Sequence, residues 1–216
     1  MRLLRIAPAI ILATVMALAT VTAGASLAGA ADVATSGTDG PTAPAPNTTS
    51  PPANTAGSNQ DNAAKARALV AAAINMTDSN RAVALLWQAT DLDPTLEEAY
   101  VYLGLYYNSR SEFDRVVPVY QKLVKYHPNE TSAWLNIGEA YLSFSPPRYE
   151  DALPYYRKAL ELDSSSSIAA LRIGMIYAEE NNREEALHYL HLAAADRTKN
   201  PEVAEQAQRL IHQIGQ

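Results

Sequence analysis

The sequence predicts an all-α fold in which antiparallel helix pairs follow one another along the chain. Two observations carry this prediction. Apolar residues recur at helical spacing from residue 61 to the end of the 216-residue chain. Three short segments of this region also align, with a glycine at the same place in each: AYVYLGLYY (99–107), AWLNIGEAY (133–141) and AALRIGMIY (169–177). The glycines are 34 and then 36 residues apart, and repetition with such a period is typical of stacked helical repeats.

The first 30 residues have the order of a secretory signal peptide. Arg2 and Arg5 precede an apolar run from Ile6 to about Val21, and small residues follow this run. We expect cleavage after Ala30, which predicts an exported protein, periplasmic or extracellular. The apolar run is also close to the length that a bilayer-spanning helix needs. An uncleaved anchor that tethers the protein to a membrane is therefore the alternative.

Residues 31–60 are predicted to be a disordered linker rich in Pro, Ala and Thr. They contain five prolines and a single large aliphatic residue, Val33. Such a segment cannot bury enough apolar surface to offset the entropy cost of ordering it. The helical domain is predicted to occupy residues 61–216.

Composition excludes several classes of function. The net charge is −6 and no cluster of Lys or Arg exists, so the chain lacks the basic surface on which nucleic-acid binding depends. Without cysteine there is no thiolate metal site and no cysteine nucleophile. His188 and His191 have a spacing that can bind a metal, but we interpret them as a solvated outer helix face. We therefore expect no catalytic residue, no metal and no cofactor.

A second helix is predicted after each glycine-containing segment. Its copies are VVPVYQKLVKYHP (116–128), ALPYYRKALELDS (152–164) and ALHYLHLAAADRT (186–198), with a weaker, earlier copy in AVALLWQATDLDP (82–94). The predicted units are 63–96, 97–130, 131–166 and 167–200, followed by a cap at 201–216. The third unit is two residues longer, and the extra residues fall in the loop sequence SFSPPRYED.

This pattern resembles the tetratricopeptide repeat family over about residues 63–198. The third unit matches the family pattern at Trp134, Ile137, Gly138, Tyr141, Ala152, Tyr156 and Ala159, and has Ser164 where proline is usual. The first unit departs from the pattern, because Leu69-Val70 replaces Leu-Gly. The resemblance implies a right-handed α-solenoid of about four tetratricopeptide helix pairs plus a C-terminal capping helix, nine helices in all.

The recurrent glycine has a physical explanation in such a fold. Glycine in a helix interior costs about 1 kcal/mol relative to alanine, but a small residue lets two antiparallel helices approach closely. We expect Gly138 to face Ala152 on the second helix, with Trp134 and Tyr141 filling the space beside the contact.

Local signals predict where helices begin. Thr95 and Glu98 have the spacing of a capping box, and Asn129 and the serines at 164–167 are further candidates for N-caps. Pro118 and Pro154 occupy matching places inside second helices, where each removes a backbone hydrogen bond. We interpret both prolines as features of the repeat on its outward face.

The resemblance also implies a concave groove lined mainly by the first helices. Its predicted partner-binding residues are Arg67, Val101, Tyr102, Leu105, Leu135, Asn136, Glu139, Leu171, Arg172 and Met175, with Ala71 beside them. This lining is mostly apolar and suits an amphipathic helix or an extended apolar peptide of a protein partner. We predict that Asn136 bonds a peptide backbone and that Arg172 pairs with an acidic group. In the alternative, Leu135 and Leu171 pack against neighbouring units or the capping helix.

The predicted function is that of an exported, non-enzymatic scaffold in a bacterial envelope assembly. One alternative is a membrane-anchored assembly factor. Another is a self-associating module, in which the groove accepts the capping helix of a second copy. The oligomeric state and the identity of the partner are left open by the sequence.

Overall fold

The computed structural model describes residues 55–195 and 198–216. Within them the chain forms nine helices and no strand. The helices are α1 (Thr55–Ile74), α2 (Ser79–Leu92), α3 (Glu97–Ser109), α4 (Phe113–Tyr126), α5 (Thr131–Leu142), α6 (Tyr149–Leu162), α7 (Ser167–Glu179), α8 (Arg183–Ala195) and α9 (Pro201–Gly215). The predicted signal peptide lies outside the described residues. So do residues 31–54 of the predicted linker.

The first helix begins earlier than the sequence predicts. It starts at Thr55, inside the segment that we expected to be linker up to residue 60. The last proline before the helix is Pro52 and the next is Pro94, so no proline interrupts the helix after residue 55.

The helices stack in chain order. Each helix from α2 to α9 packs against the next, and α9 also packs against α7. Elements that are close in space are thus close in sequence, which is the architecture of a solenoid. The pairs α1–α2, α3–α4, α5–α6 and α7–α8 form units one to four, and α9 is the capping helix. The predicted all-α solenoid is confirmed.

The three glycines sit where the two helices of a unit come closest. A Cβ atom on Gly104 would stand 2.4 Å from the hydroxyl of Tyr120, and one on Gly138 would stand 2.6 Å from the ring of Tyr156. On Gly174 it would stand 2.8 Å from Leu190. Such distances leave no room for a side chain. The nearest atoms to Gly138 belong to Tyr156 and not to Ala152, so the predicted facing residue was wrong by one helical turn.

Unit one has no glycine at this place. Val70 occupies the place of the glycine and is buried, as is Leu86 on the second helix of the unit.

Side-chain caps fix four of the described helix starts, and at α8 the amide of Glu185 donates to Oδ1 of Asn182. Asp78 accepts hydrogen bonds from the amides of the first turn of α2, Glu130 caps α5 and Ser166 caps α7. The predicted capping box at Thr95 does not form. The Thr95 hydroxyl bonds the Asp93 carboxylate at 2.6 Å instead, and α3 begins without a side-chain cap.

The turns inside units two and four share one backbone conformation. Ser111 and Asn181 both have positive φ, 58° and 60°. In each turn the amide of the following residue bonds the carbonyl of Tyr107 or Tyr177, five residues back. This is the pattern with which helices commonly end at a left-handed residue. Pro118 and Pro154 are exposed on α4 and α6, as expected for the outward face.

Candidate functional site

The candidate site is the face of the first helices that the sequence predicts to line a groove, called here the groove face. Two places on each first helix recur relative to its glycine. One is two residues before the glycine and the other is one residue after it. In α3 these places hold Tyr102 and Leu105, in α5 they hold Asn136 and Glu139, and in α7 they hold Arg172 and Met175.

The part of the groove face on units one and two is open to solvent. Tyr102 is 38% exposed and Leu105 is 36% exposed. Arg67 is exposed as well, and Val101 is half-buried. Ile74, 51% exposed near the end of α1, is a further large apolar side chain. It was not among the predicted residues, although its position one turn after Ala71 could have indicated it.

The part of the groove face on units three and four is largely covered by the chain itself. Leu135 is buried on α5, and Leu171, Arg172 and Met175 are buried on α7. The prediction that these four side chains line an open groove is therefore corrected. The physical reason is that α7 packs against α6, α8 and α9, so little of its surface remains exposed. Asn136 and Glu139 are half-buried.

Arg172 already has an acidic partner within the chain. Its Nε donates to Oε1 of Glu139 at 2.6 Å, and its Nη2 donates to Oε2 at 3.1 Å. The side chain of Arg172 is 2% exposed and that of Glu139 is 13% exposed. A bidentate pair with this geometry is strong and directional. Arg172 is thus not available to an acidic group of a partner, contrary to the expectation from sequence.

The phenol of Tyr156 completes this network. Its hydroxyl donates to Oε1 of Glu139 at 2.9 Å. Burial, and next the neighbouring carboxylate, raise the pKa of Tyr156 well above its ordinary value. Burial alone would lower the pKa of Arg172, but the charge of Glu139 and the hydrogen bonds outweigh it and the pKa is raised. The network thereby joins α5, α6 and α7 through one buried ion pair and one hydrogen bond.

Opposite charges spaced by about one repeat were the sequence signal for this pair. Glu139 follows Gly138, and Arg172, 33 residues further on, comes two residues before Gly174. The place after the glycine on one first helix thus meets the place before the glycine on the next. The same relation recurs one unit later, where Nε2 of Gln206 on α9 lies 4.0 Å from Sδ of Met175.

A stack of aromatic rings flanks Gly138 on a different side. Trp134 and Tyr141 both stack on Tyr155 of α6, with ring centroids 6.2 and 5.5 Å apart. The indole nitrogen of Trp134 donates to the carbonyl of Pro128. The two predicted aromatic residues thus fill the space beside the helix contact within unit three, and the Trp134 indole also ties that unit to the end of unit two.

The described residues offer no further candidate centre. His188 and His191 are exposed on α8. Across residues 55–195 and 198–216, no three His, Cys, Asp or Glu side chains come together in a way that could hold a metal ion. None of the helices in these same residues combines the length and the apolar character needed to cross a membrane.

Comparison with known proteins bears on the repeats directly. A family model described as tetratricopeptide repeat matches residues 103–167 and 147–201. Anaphase-promoting complex subunit 3 of Schizosaccharomyces pombe is 26% identical over 112 residues, 52% of this chain and 16% of that protein. Superkiller complex protein 3 of Homo sapiens is 29% identical over 111 residues, 50% of this chain and 7% of that protein. The chain therefore matches only a small part of these much longer relatives.

Solved structures show the same fold. A crystal structure of MamA has a TM-score of 0.54 at 22% identity and covers 67% of this chain and 81% of that one. The TPR2B domain of yeast Sti1 in complex with pHsp70 has a TM-score of 0.50 at 21% identity, covering 55% and 95%. At these identities the likeness establishes the architecture only. The family model that matches residues 103–201, together with the repeated helix pairs, shows that this chain belongs to the tetratricopeptide repeat family.

Proposed function

We propose that this chain is a non-enzymatic scaffold that binds an apolar segment of a partner protein on the open part of its groove face. The observation that carries the proposal is the exposure of Tyr102, Leu105 and Ile74 on the first helices of two adjoining units. Large apolar side chains are seldom left exposed together unless they contact something. The yeast Sti1 domain of the same fold was solved in complex with pHsp70, which supports a protein or peptide ligand.

The partner is proposed to lie outside the cytoplasm, in a bacterial envelope assembly. The support is the order of residues 1–30, in which two arginines, an apolar run and small residues follow one another. The mass of the mature protein tests this proposal. An N-terminus at Ala31 indicates an exported, released protein, whereas an intact N-terminus indicates a membrane-anchored assembly factor.

Crosslinking and affinity purification from the native envelope tests the groove face. The informative variant carries Tyr102→Asp and Leu105→Asp, because both side chains are exposed and neither change buries a charge. Leu192→Asp on α8 is the matched control, since Leu192 is also 38% exposed but lies on a second helix. We expect the double variant to lose a partner that the wild type and the control both retain. A partner that all three recover equally contradicts binding at this face.

Self-association is a second candidate that one observation favours. On α9, Val203 and Ala207 are buried, whereas Leu210, Ile211 and Ile214 are only half-buried. A second copy could cover this remaining apolar stripe. Sedimentation of the purified chain tests the idea, with Ile211→Glu as the variant that should shift any dimer to monomer. A wild-type protein that sediments as a monomer at all accessible concentrations excludes it.

A further inference from the structure

The hydroxyl of Tyr120 on α4 is a polar group that no described residue of the chain pairs with. The residue is only 2% exposed, yet its hydroxyl makes no hydrogen bond to any residue in the described part of the chain. Every side-chain polar atom fully sealed from solvent in that part does have a partner. The Tyr120 hydroxyl is therefore not sealed. It reaches α3 at Gly104, directly beside the exposed Leu105.

Unit three shows what the equivalent hydroxyl binds. There Tyr156 packs on Gly138 and donates to the carboxylate of Glu139, the residue after the glycine. In unit two the residue after the glycine is Leu105, which has no acceptor. The chain thus contains the same site twice, once with an internal acceptor and once without one.

The charge balance of the two sites also differs. In unit three the carboxylate is neutralised by Arg172, which lies two residues before the next glycine. The equivalent residue on α5 is Asn136, which is half-buried and makes no hydrogen bond within the described residues. Burying a carboxylate without a cation is unfavourable. The group that suits unit two is therefore an uncharged acceptor.

In unit three the hydroxyl of Tyr156 and Nε of Arg172 donate to the same oxygen of Glu139, so one group can by equivalence meet both Tyr120 and Asn136, and a side-chain amide suits both. Its carbonyl can accept from the Tyr120 hydroxyl, while its NH₂ group can donate to the carbonyl of Asn136. The apolar surroundings of Tyr102 and Leu105 suit the residues on either side of that amide. We propose that Tyr120 and Asn136 select an Asn or Gln side chain within an apolar segment of the partner. This inference rests on the proposed function of the groove face and names what that face recognises.

The test selects peptides and then removes single groups. A displayed library of random 12-residue peptides is selected on the full chain and depleted on the Tyr102→Asp, Leu105→Asp variant, so that only binders dependent on the groove face survive. The inference expects the surviving peptides to share Asn or Gln at one position. Synthetic copies of the best binder, and copies with Leu or Glu in place of that amide, are then titrated by fluorescence anisotropy.

Tyr120→Phe should weaken binding of the amide peptide by about 3- to 10-fold, the value of one hydrogen bond between uncharged groups. The same variant should leave the affinity of the Leu peptide unchanged. Replacing the amide of the peptide and removing the hydroxyl of Tyr120 abolish the same hydrogen bond, so the second change has nothing further to remove. Tyr156→Phe is the matched control and should bind the amide peptide like the wild type. Because the Tyr120 hydroxyl has no partner among the described residues, Tyr120→Phe should unfold at the same thermal midpoint as the wild type. Asn136→Leu provides an independent second variant.

The outcomes separate this inference from the proposed function. Surviving peptides without a shared amide, or an affinity that neither Tyr120→Phe nor Asn136→Leu changes, overturn the amide site and leave the groove face as a binding surface. Preference for the Glu peptide over the amide peptide also overturns it. A selection that yields no binder dependent on Tyr102 and Leu105 counts against both.

Discussion

Units two and three have the same helix pairing but use the groove face differently. In unit two, Leu105 follows the glycine and stays exposed. In unit three, Glu139 follows the glycine and is held by Arg172 of the next unit. The glycine and the buried positions of the repeat thus determine how helices pair. The positions beside the glycine determine whether the groove face is covered by other parts of the chain or stays exposed to a partner.

Removing the acid of the buried pair should have the largest effect on stability. Glu139→Ala leaves the guanidinium of Arg172 buried without a counter-charge, and should lower the free energy of unfolding by about 3–5 kcal/mol. Denaturant unfolding followed by circular dichroism measures this. Glu205→Ala is the control, because its pair with Arg209 is exposed and should contribute less than about 0.5 kcal/mol. Equal effects of the two changes would show that the stability of units three and four does not depend on the pair between Glu139 and Arg172.

Filling the place of the glycine should have the next largest effect on stability. Gly138→Leu puts a side chain where the ring of Tyr156 already lies, and overpacking should destabilise the protein by about 3 kcal/mol. Gly215→Leu, at a site with nothing within 4 Å, should change the stability by less than about 0.5 kcal/mol. A well-folded Gly138→Leu protein of wild-type stability would refute the close approach.

The two tyrosines beside the glycines give a smaller but more direct contrast. Tyr156→Phe removes a hydrogen bond to the Glu139 carboxylate and should cost about 1.5 kcal/mol. Tyr120→Phe removes a hydroxyl without a partner in the described chain, so its effect on unfolding should stay within about 0.5 kcal/mol. Thermal and denaturant unfolding of the two variants side by side measure the difference. If both lose stability equally, the two sites are not used differently.

The repeat could be predicted from the sequence because glycine and other small residues recur in it at a fixed spacing. That pattern predicted the helix pairs and the capping helix. It did not identify Tyr156 as the residue facing Gly138, because periodicity gives the face of a helix but not which turn of the neighbour meets it. The capping box at Thr95 failed for a local reason, since Asp93 competes successfully for the same hydroxyl.

The groove face was harder to predict than the fold. Periodicity placed Arg172 and Met175 on the same kind of surface as Tyr102 and Leu105, but it does not show what covers a surface. The covering of α7 by α9, and the pairing of Arg172 with Glu139, depend on which side chains meet across units. Charge complementarity at a spacing of one repeat was the available signal, and it identifies only contacts between charged residues.

Substitutions in the turns inside units two and four should have the smallest effect on stability. Both need a left-handed residue, but unit four uses Asn181 and unit two uses Ser111, a residue type that adopts this conformation at a cost of about 1–2 kcal/mol. Ser111→Gly removes that cost and adds about 0.5–1 kcal/mol of backbone entropy loss, for a net stabilisation of about 0.5 kcal/mol. Asn181→Gly should give no gain, because Asn already tolerates the conformation. Chemical denaturation of both variants checks the sign. A gain at Asn181 that equals the gain at Ser111 would mean that the residue type at this turn does not matter.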